Sequence, residues 1–171
     1  SDPWGYLSTN ILGTLNVYEA CRVLGIRKVI LMSSFSTYGV TRGVIDEHTK
    51  LNPVNPYGVS KLCSERIAKA YSDLYDIRSI VFRAPFIVGE NQKEWNALNE
   101  FVDSALSGQP LVIYGEGLHK REWVHPEDVG RAFLRALDYF DRMKRCFEVF
   151  VLGNKENLVS MLDLAKFVQS K

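Results

Sequence analysis

Two short apolar runs separated by one helix-length segment constrain this chain most. Residues 28–34 read KVILMSS and residues 77–89 read IRSIVFRAPFIVG. Neither alternates polar with apolar residues, so each reads as a strand buried on both faces, as in a parallel sheet. Between them Val59, Cys63, Ile67, Ala70 and Leu74 recur at helical spacing behind an Asn55-Pro56 start. Strand, helix, strand in that order predicts a right-handed parallel βαβ crossover. A further helix precedes the first strand. Leu7, Ile11, Leu15, Tyr18 and Cys21 mark its face over residues 6–24, and Gly25 stands where a glycine C-cap belongs. The fold class that follows is α/β with a parallel sheet.

After Gly89 the texture changes. The pattern predicts a helix over 95–106, short strands in PLVIYGEG (110–117) and EWVH (122–125), and a helix opened by Pro126. A strand in CFEVFVLG (146–153) and a last helix capped by Ser160, with Asp163 three residues on, complete it. This divides the chain into 1–89 and 90–171, with the 126–139 helix packing back on the first part. Both ends fall within helices, and two long parallel strands are few for an open sheet. Further strands on the N-terminal side are expected. The glycine- and proline-marked stretch 35–56 reads as a long loop of the functional kind.

Composition excludes several classes. Apolar residues at 46% and charged residues at 24% place the chain among globular proteins rather than disordered ones. Lys plus Arg is 21 against 20 for Asp plus Glu, so the basic excess of a nucleic-acid binder is missing. Cys21, Cys63 and Cys146 are three and far apart, which points to a reducing, cytoplasmic setting rather than a disulfide framework. His48, His119 and His125 lack an i,i+4 partner and no CxxC occurs, so no metal site is expected. No run is long enough to span a membrane, and the start is no signal peptide.

The chemistry-bearing residues lie around the second helix. Tyr57 and Lys61 are one turn apart near its positive end. A phenol titrates near pH 10, too high for a base at neutral pH. An adjacent ammonium and a helix N-terminus both favour the phenolate, so such a tyrosine can exchange a proton near pH 7. Ser34 stands at the carboxyl end of the preceding strand, where open α/β sheets bind ligands, and could hydrogen-bond the same substrate oxygen. A Tyr-x-x-x-Lys pair alone also fits solvated helix neighbours.

Several segments, in order, resemble the extended short-chain dehydrogenase/reductases, specifically the NAD-dependent sugar epimerase/dehydratase group. NILGTLNV (10–17) resembles the group's N-x-x-G-T-x-N-V helix, and SSFSTYG (33–39) its strand-end S-S-x-x-x-Y-G. DEHTKLNPVNPYGVSK (46–61) resembles its acidic, proline-rich P-Y-G-x-S-K segment, and FRAPFIVG (82–89) its R-x-x-x-x-x-G. GQPLVIYGEGLHKREWVHPEDVGRA (108–132) resembles a substrate-region segment. The resemblance implies the C-terminal part of a Rossmann-like doubly wound sheet plus a small α/β substrate-binding region. It implies Tyr57 as acid/base, Lys61 on the nicotinamide ribose and tuning Tyr57, and Ser34 orienting the reacting oxygen. Asn10 and Pro85 would lie against NAD, and Arg121 would hold the diphosphate of a nucleotide-sugar. It further implies a homodimer through the helices 6–24 and 57–75, on which Leu12, Val17, Ala20, Leu62 and Tyr71 widen the apolar surface.

The departures bear on function. The group's Gly-rich phosphate turn and its ribose-reading acid are not in the chain, and Gly115-Glu116-Gly117 does not replace them. Phe86 occupies a substrate-contact position where many epimerases carry asparagine. Phe35 and Ser36 stand where 4,6-dehydratases carry an Asp-Glu pair, which argues against dehydration. The expected activity is that of a UDP-hexose 4-epimerase. The alternatives are an NAD(P)-dependent reductase or dehydrogenase of another sugar or polyol, and a non-catalytic piece.

Overall fold

The computed structural model describes residues 2–41, 43–90 and 96–171. The chain forms two compact units, residues 1–84 with 127–152 and residues 85–126 with 153–171.

The first unit is built on a parallel sheet. Strands β1 (Lys28–Ser34), β2 (Arg78–Ala84) and β5 (Phe147–Val151) lie in the order β1-β2-β5. The register pairs Ser33 with Arg83 and Ser34 with Ala84. Helices cover both faces. Val29 and Leu31 pack with Tyr18, Cys21 and Ala68, residues of α2 (Gly13–Leu24) and α3 (Pro56–Tyr75). Ile30 and Met32 pack with Ala136 of α5 (Pro126–Tyr139) and with Phe140 just after it. Alternate residues of one strand thus feed two cores, which is why both apolar runs lack a polar face. This is the doubly wound α/β arrangement that the resemblance implies.

The first helix starts earlier than residue 6. Asp2 caps it by accepting from the Gly5 N–H at 3.0 Å, and Pro3 opens α1 (Pro3–Leu7). A π-helical turn, Ser8–Leu12, then leads into α2, which ends at Gly25 with φ 72° as expected. Periodicity alone gives no sign of the π-turn.

α3 corrects the sequence reading in one respect. Its bounds are as read, but Val59, Ala70 and Leu74 are exposed. The buried line is Ser60, Ser64, Glu65, Ala68 and Ser72. The reason is that β2 presents polar groups to this helix. The Ser72 hydroxyl donates to Ser79 Oγ at 2.8 Å, and the Tyr18 hydroxyl to the same atom at 3.0 Å. The run 77–89 is also not one strand. It breaks at Pro85, which has no N–H to give a ladder, and β3 (Phe86–Ile87) belongs to the second unit.

In the second unit β4 (Lys120–Val124) pairs parallel with β3 and antiparallel with β6 (Leu158–Ser160). Phe101 of α4 (Ala97–Leu106) packs with Met161 and Ala165 of α6 (Met161–Gln169). The Ser160 hydroxyl accepts the Asp163 N–H at 3.0 Å, the cap its spacing predicts. Residues 110–114 form no strand. Leu111 and Ile113 still enter this core, so the run is held by side chains rather than by a ladder. Trp95, read as the start of α4, lies outside the described residues. Among the described residues no helix is long and apolar enough to cross a membrane.

Candidate active site

β1 delivers Ser34 to the carboxyl edge of the sheet. There the chain turns sharply through Phe35–Thr37. Ser34 Oγ accepts the Ser36 N–H at 3.1 Å, and the Thr37 hydroxyl donates to the Ser34 carbonyl at 2.7 Å. α3 meets this turn backbone to backbone. A Cβ added at Gly58 would lie 2.3 Å from the Ser36 carbonyl oxygen, so only glycine permits the approach. Asn55 fixes the helix start by accepting the Gly58 N–H at 2.7 Å. Tyr57, the neighbour of Gly58, is therefore set on the turn that follows Ser34.

The π-turn borders Tyr57 on another side. Its Asn10 donates through Nδ2 to Ser60 Oγ at 2.9 Å, and the Asn10 carbonyl accepts from the Ser64 hydroxyl at 2.9 Å. Tyr6 meets the Tyr57 ring edge-on, with centroids 5.5 Å apart. Asp2, Gly5, Tyr6, Thr9, Asn10 and Tyr57 line a shallow groove of about 350 Å³. Lys61 follows one turn beyond Tyr57 and is half-buried. Burial pulls its ammonium below the ordinary lysine range, and the charge of Glu65 works in the opposite direction.

Beneath these residues lies a buried polar network that the motif reading misses. Arg83 grips Glu65 through two parallel bonds, Nε to Oε1 at 3.0 Å and Nη2 to Oε2 at 2.7 Å. Burial opposes the Arg83 charge, but its bonds to Glu65 and to the Tyr38 hydroxyl outweigh that and leave the guanidinium above its ordinary value. The network also ties down the 35–56 loop. Tyr38 donates to the Asp46 carbonyl at 2.9 Å, and the Glu47 carboxylate accepts the Val151 N–H at 2.9 Å. Gly39, at φ 71°, lets the loop close against the Asn52 carbonyl. One signal was available in the sequence. Arg83 interrupts an otherwise apolar buried strand, and a buried arginine requires a counter-charge.

Pro85, Phe86 and Arg121 lie in the second unit. Phe86 pairs with Trp123 across the β3–β4 ladder, and their rings are 5.4 Å apart. The Arg121 guanidinium stacks 4.7 Å above the Phe86 ring. A guanidinium held by its face keeps its in-plane donors directed outward, the geometry that bidentate phosphate recognition needs. Among the described residues no cluster of His, Cys, Asp and Glu could hold a metal ion.

Residues 1–153 match the NAD dependent epimerase/dehydratase family. The chain belongs to that family. It is 25% identical over 169 residues to a UDP-glucuronate 4-epimerase of Thermodesulfobacterium geofontis, covering 98% of this chain and 51% of the relative. It superposes on the crystal structure of a UDP-glucuronic acid 4-epimerase from Bacillus cereus in complex with NAD. The TM-score there is 0.88 at 29% identity, covering 99% of this chain and 55% of that one. A dTDP-glucose 4,6-dehydratase from Bacillus anthracis, also in complex with NAD, gives a TM-score of 0.85 at 27% identity, covering 99% and 54%. The chain spans about half the length of these relatives.

Proposed function

We propose that the protein carrying this chain is an NAD-dependent 4-epimerase of a nucleotide-sugar, most closely a UDP-hexose, working through a keto-sugar. The observation that carries the reading is the close approach of Gly58, next to Tyr57, to Ser36, two residues beyond Ser34, with Lys61 one turn further along α3. NAD, when bound, supplies reversible oxidation of the sugar carbon. The chain's own residues handle the proton. Tyr57 takes it from the sugar hydroxyl, Lys61 stabilises the phenolate, and Ser34 hydrogen-bonds the same oxygen. When the keto group is reduced on its other face, Tyr57 returns the proton. Asn10 lies against the cofactor with the groove beside it, Lys61 binds the ribose hydroxyls, and the backbone at Pro85 approaches the nicotinamide ring. The first unit in this reading carries the cofactor half. The second binds the substrate, with Arg121 on the diphosphate and Phe86 beside the sugar.

Phe86 favours a second reading. An aromatic ring offers no hydrogen bond to a sugar hydroxyl, and this suits a reductase or dehydrogenase acting on another sugar or polyol. One experiment separates the two. The full-length protein is given NAD with UDP-glucose, UDP-glucuronate and a panel of other sugars and polyols, and both the 4-epimer and NADH absorbance are followed. An epimer without net NADH supports the first reading, and NADH in step with product supports the second.

Assembly completes the proposal. Leu12 and Val17 are each 54% exposed and Val59 is 40% exposed on the outer faces of the two helices. Such an apolar surface fits an isologous dimer. Arginine at Leu12 and Leu62 together is expected to give folded monomer by light scattering. A retained dimer places the interface elsewhere.

A further inference from the structure

A deeply buried carboxylate of the first unit, Glu65 at 3% exposure, has no part in the chemistry above. Glu65 lies one turn beyond Lys61 and two beyond Tyr57, on one line of α3. Its side chain is 4% exposed, and that of Arg83 is 5% exposed. Besides the two bonds from Arg83, Glu65 Oε1 accepts the hydroxyl of Ser33. Ser33 and Arg83 stand opposite each other on β1 and β2. The guanidinium's remaining arm donates to the Tyr38 hydroxyl at 3.0 Å and to the Glu47 carbonyl at 3.4 Å.

A buried ion pair adds little net stability over apolar residues of the same volume. What it supplies instead is direction. A forked guanidinium meets a carboxylate in one plane and at one distance, whereas apolar side chains can slide. Here that fixed geometry joins two particular pieces of backbone. Ser33 immediately precedes Ser34, and Glu65 continues the helical line of Tyr57 and Lys61. A shift of α3 along or about its axis has to break several buried bonds at once.

We propose that Glu65 and Arg83 form a positioning unit for proton transfer, setting α3 against β1 so that Tyr57 and Ser34 meet a single substrate oxygen with Lys61 held one turn behind Tyr57. The proposal rests on the functional reading above. Catalytic geometry is sensitive at this scale, since a misplacement of about 1 Å can lower a rate about 10²-fold. The charge of Glu65 also opposes the effect of burial on the neighbouring Lys61.

The test uses the full-length protein. Glu65→Gln combined with Arg83→Met removes both charges and leaves an acceptor for Ser33. This variant leaves no unpaired buried charge, so it is expected to fold and to keep its NAD affinity. Its kcat is expected to fall at least about ten-fold with KM unchanged. Arg83→Lys, which keeps the charge and loses the fork, is the second variant should the first not fold, and the same loss of kcat is expected. Wild-type kcat in the folded double variant, or in Arg83→Lys, overturns the proposal. Tyr57→Phe is measured beside them. An unaltered protein that converts no nucleotide-sugar sinks the functional reading and this inference with it. An active protein inactivated by Tyr57→Phe, with both pair variants at full rate, sinks the positioning claim alone.

Discussion

The two units hold their candidate functional side chains in different ways. In the first, Ser34, Tyr57 and Lys61 rest on a glycine close approach and on a buried network of Glu65, Arg83, Ser33 and Tyr38. In the second, Arg121 rests on the ring of Phe86, which is 45% exposed. Buried, charge-assisted bonds fix geometry tightly, while an exposed stack is worth only about 0.5–1 kcal/mol. The difference matches the demands of the two proposed tasks. Proton transfer fails with small displacements, and diphosphate binding tolerates a flexible guanidinium. Substitutions in the first unit should therefore lower turnover, and those in the second should weaken affinity.

The largest effect is expected at Tyr57. Tyr57→Phe removes the proton carrier and should lower kcat about 10²–10⁴-fold, with NAD affinity retained. Steady-state kinetics and calorimetric titration with NAD check both parts. Gly58→Ala should follow. Its Cβ would meet the Ser36 carbonyl at 2.3 Å, and relieving that overlap costs about 1–3 kcal/mol of stability. Urea denaturation reads the stability, and kcat should fall with it because the same overlap pushes Tyr57 away from the Ser34 turn. Wild-type stability and kcat in this variant would mean that the close approach is not needed. Phe86→Ala should act on affinity alone, weakening UDP binding about two- to five-fold by calorimetry with kcat kept. A loss of kcat there would erase the contrast between the units. The smallest effect is expected on the solvent side of α3. Lys69 and Asp73 pair at 2.7 Å with both side chains about half exposed, and Lys69→Ala should change stability by less than about 0.5 kcal/mol.

Much of the fold was legible because both strand runs are apolar on two faces and the helix caps carry clear signals at Gly25, Asn55 and Ser160. The candidate residues were legible through spacing and resemblance, since Tyr57 and Lys61 share a helix face and Ser34 ends a strand. The inner face of α3 was not. Its apolar residues suggested Val59 and Leu74 as the packed line, yet serines and Glu65 are buried, because the partner strand brings Ser79 and Arg83 to that face. Periodicity records which residues are apolar and cannot show that a polar strand face awaits them. The π-turn at Asn10 was hidden for a related reason, since it changes the backbone bonding without changing the apolar pattern. The missing strand at 110–114 shows the converse. Leu111 and Ile113 have the alternation of a strand and enter the core, but alternation does not guarantee a ladder.

The central claim is that the sugar carbon is oxidised and reduced again at one site, with Tyr57 carrying only the hydroxyl proton. The most direct measurement follows a UDP-hexose carrying deuterium on C4 through epimerisation by the full-length protein with NAD, using mass spectrometry and NMR of both epimers. The label is expected to stay on C4 of substrate and product, because the carbon-bound hydrogen leaves and returns without meeting solvent. Loss of the label to water, at the rate of epimerisation, would show proton abstraction from carbon and rule out the keto-sugar route.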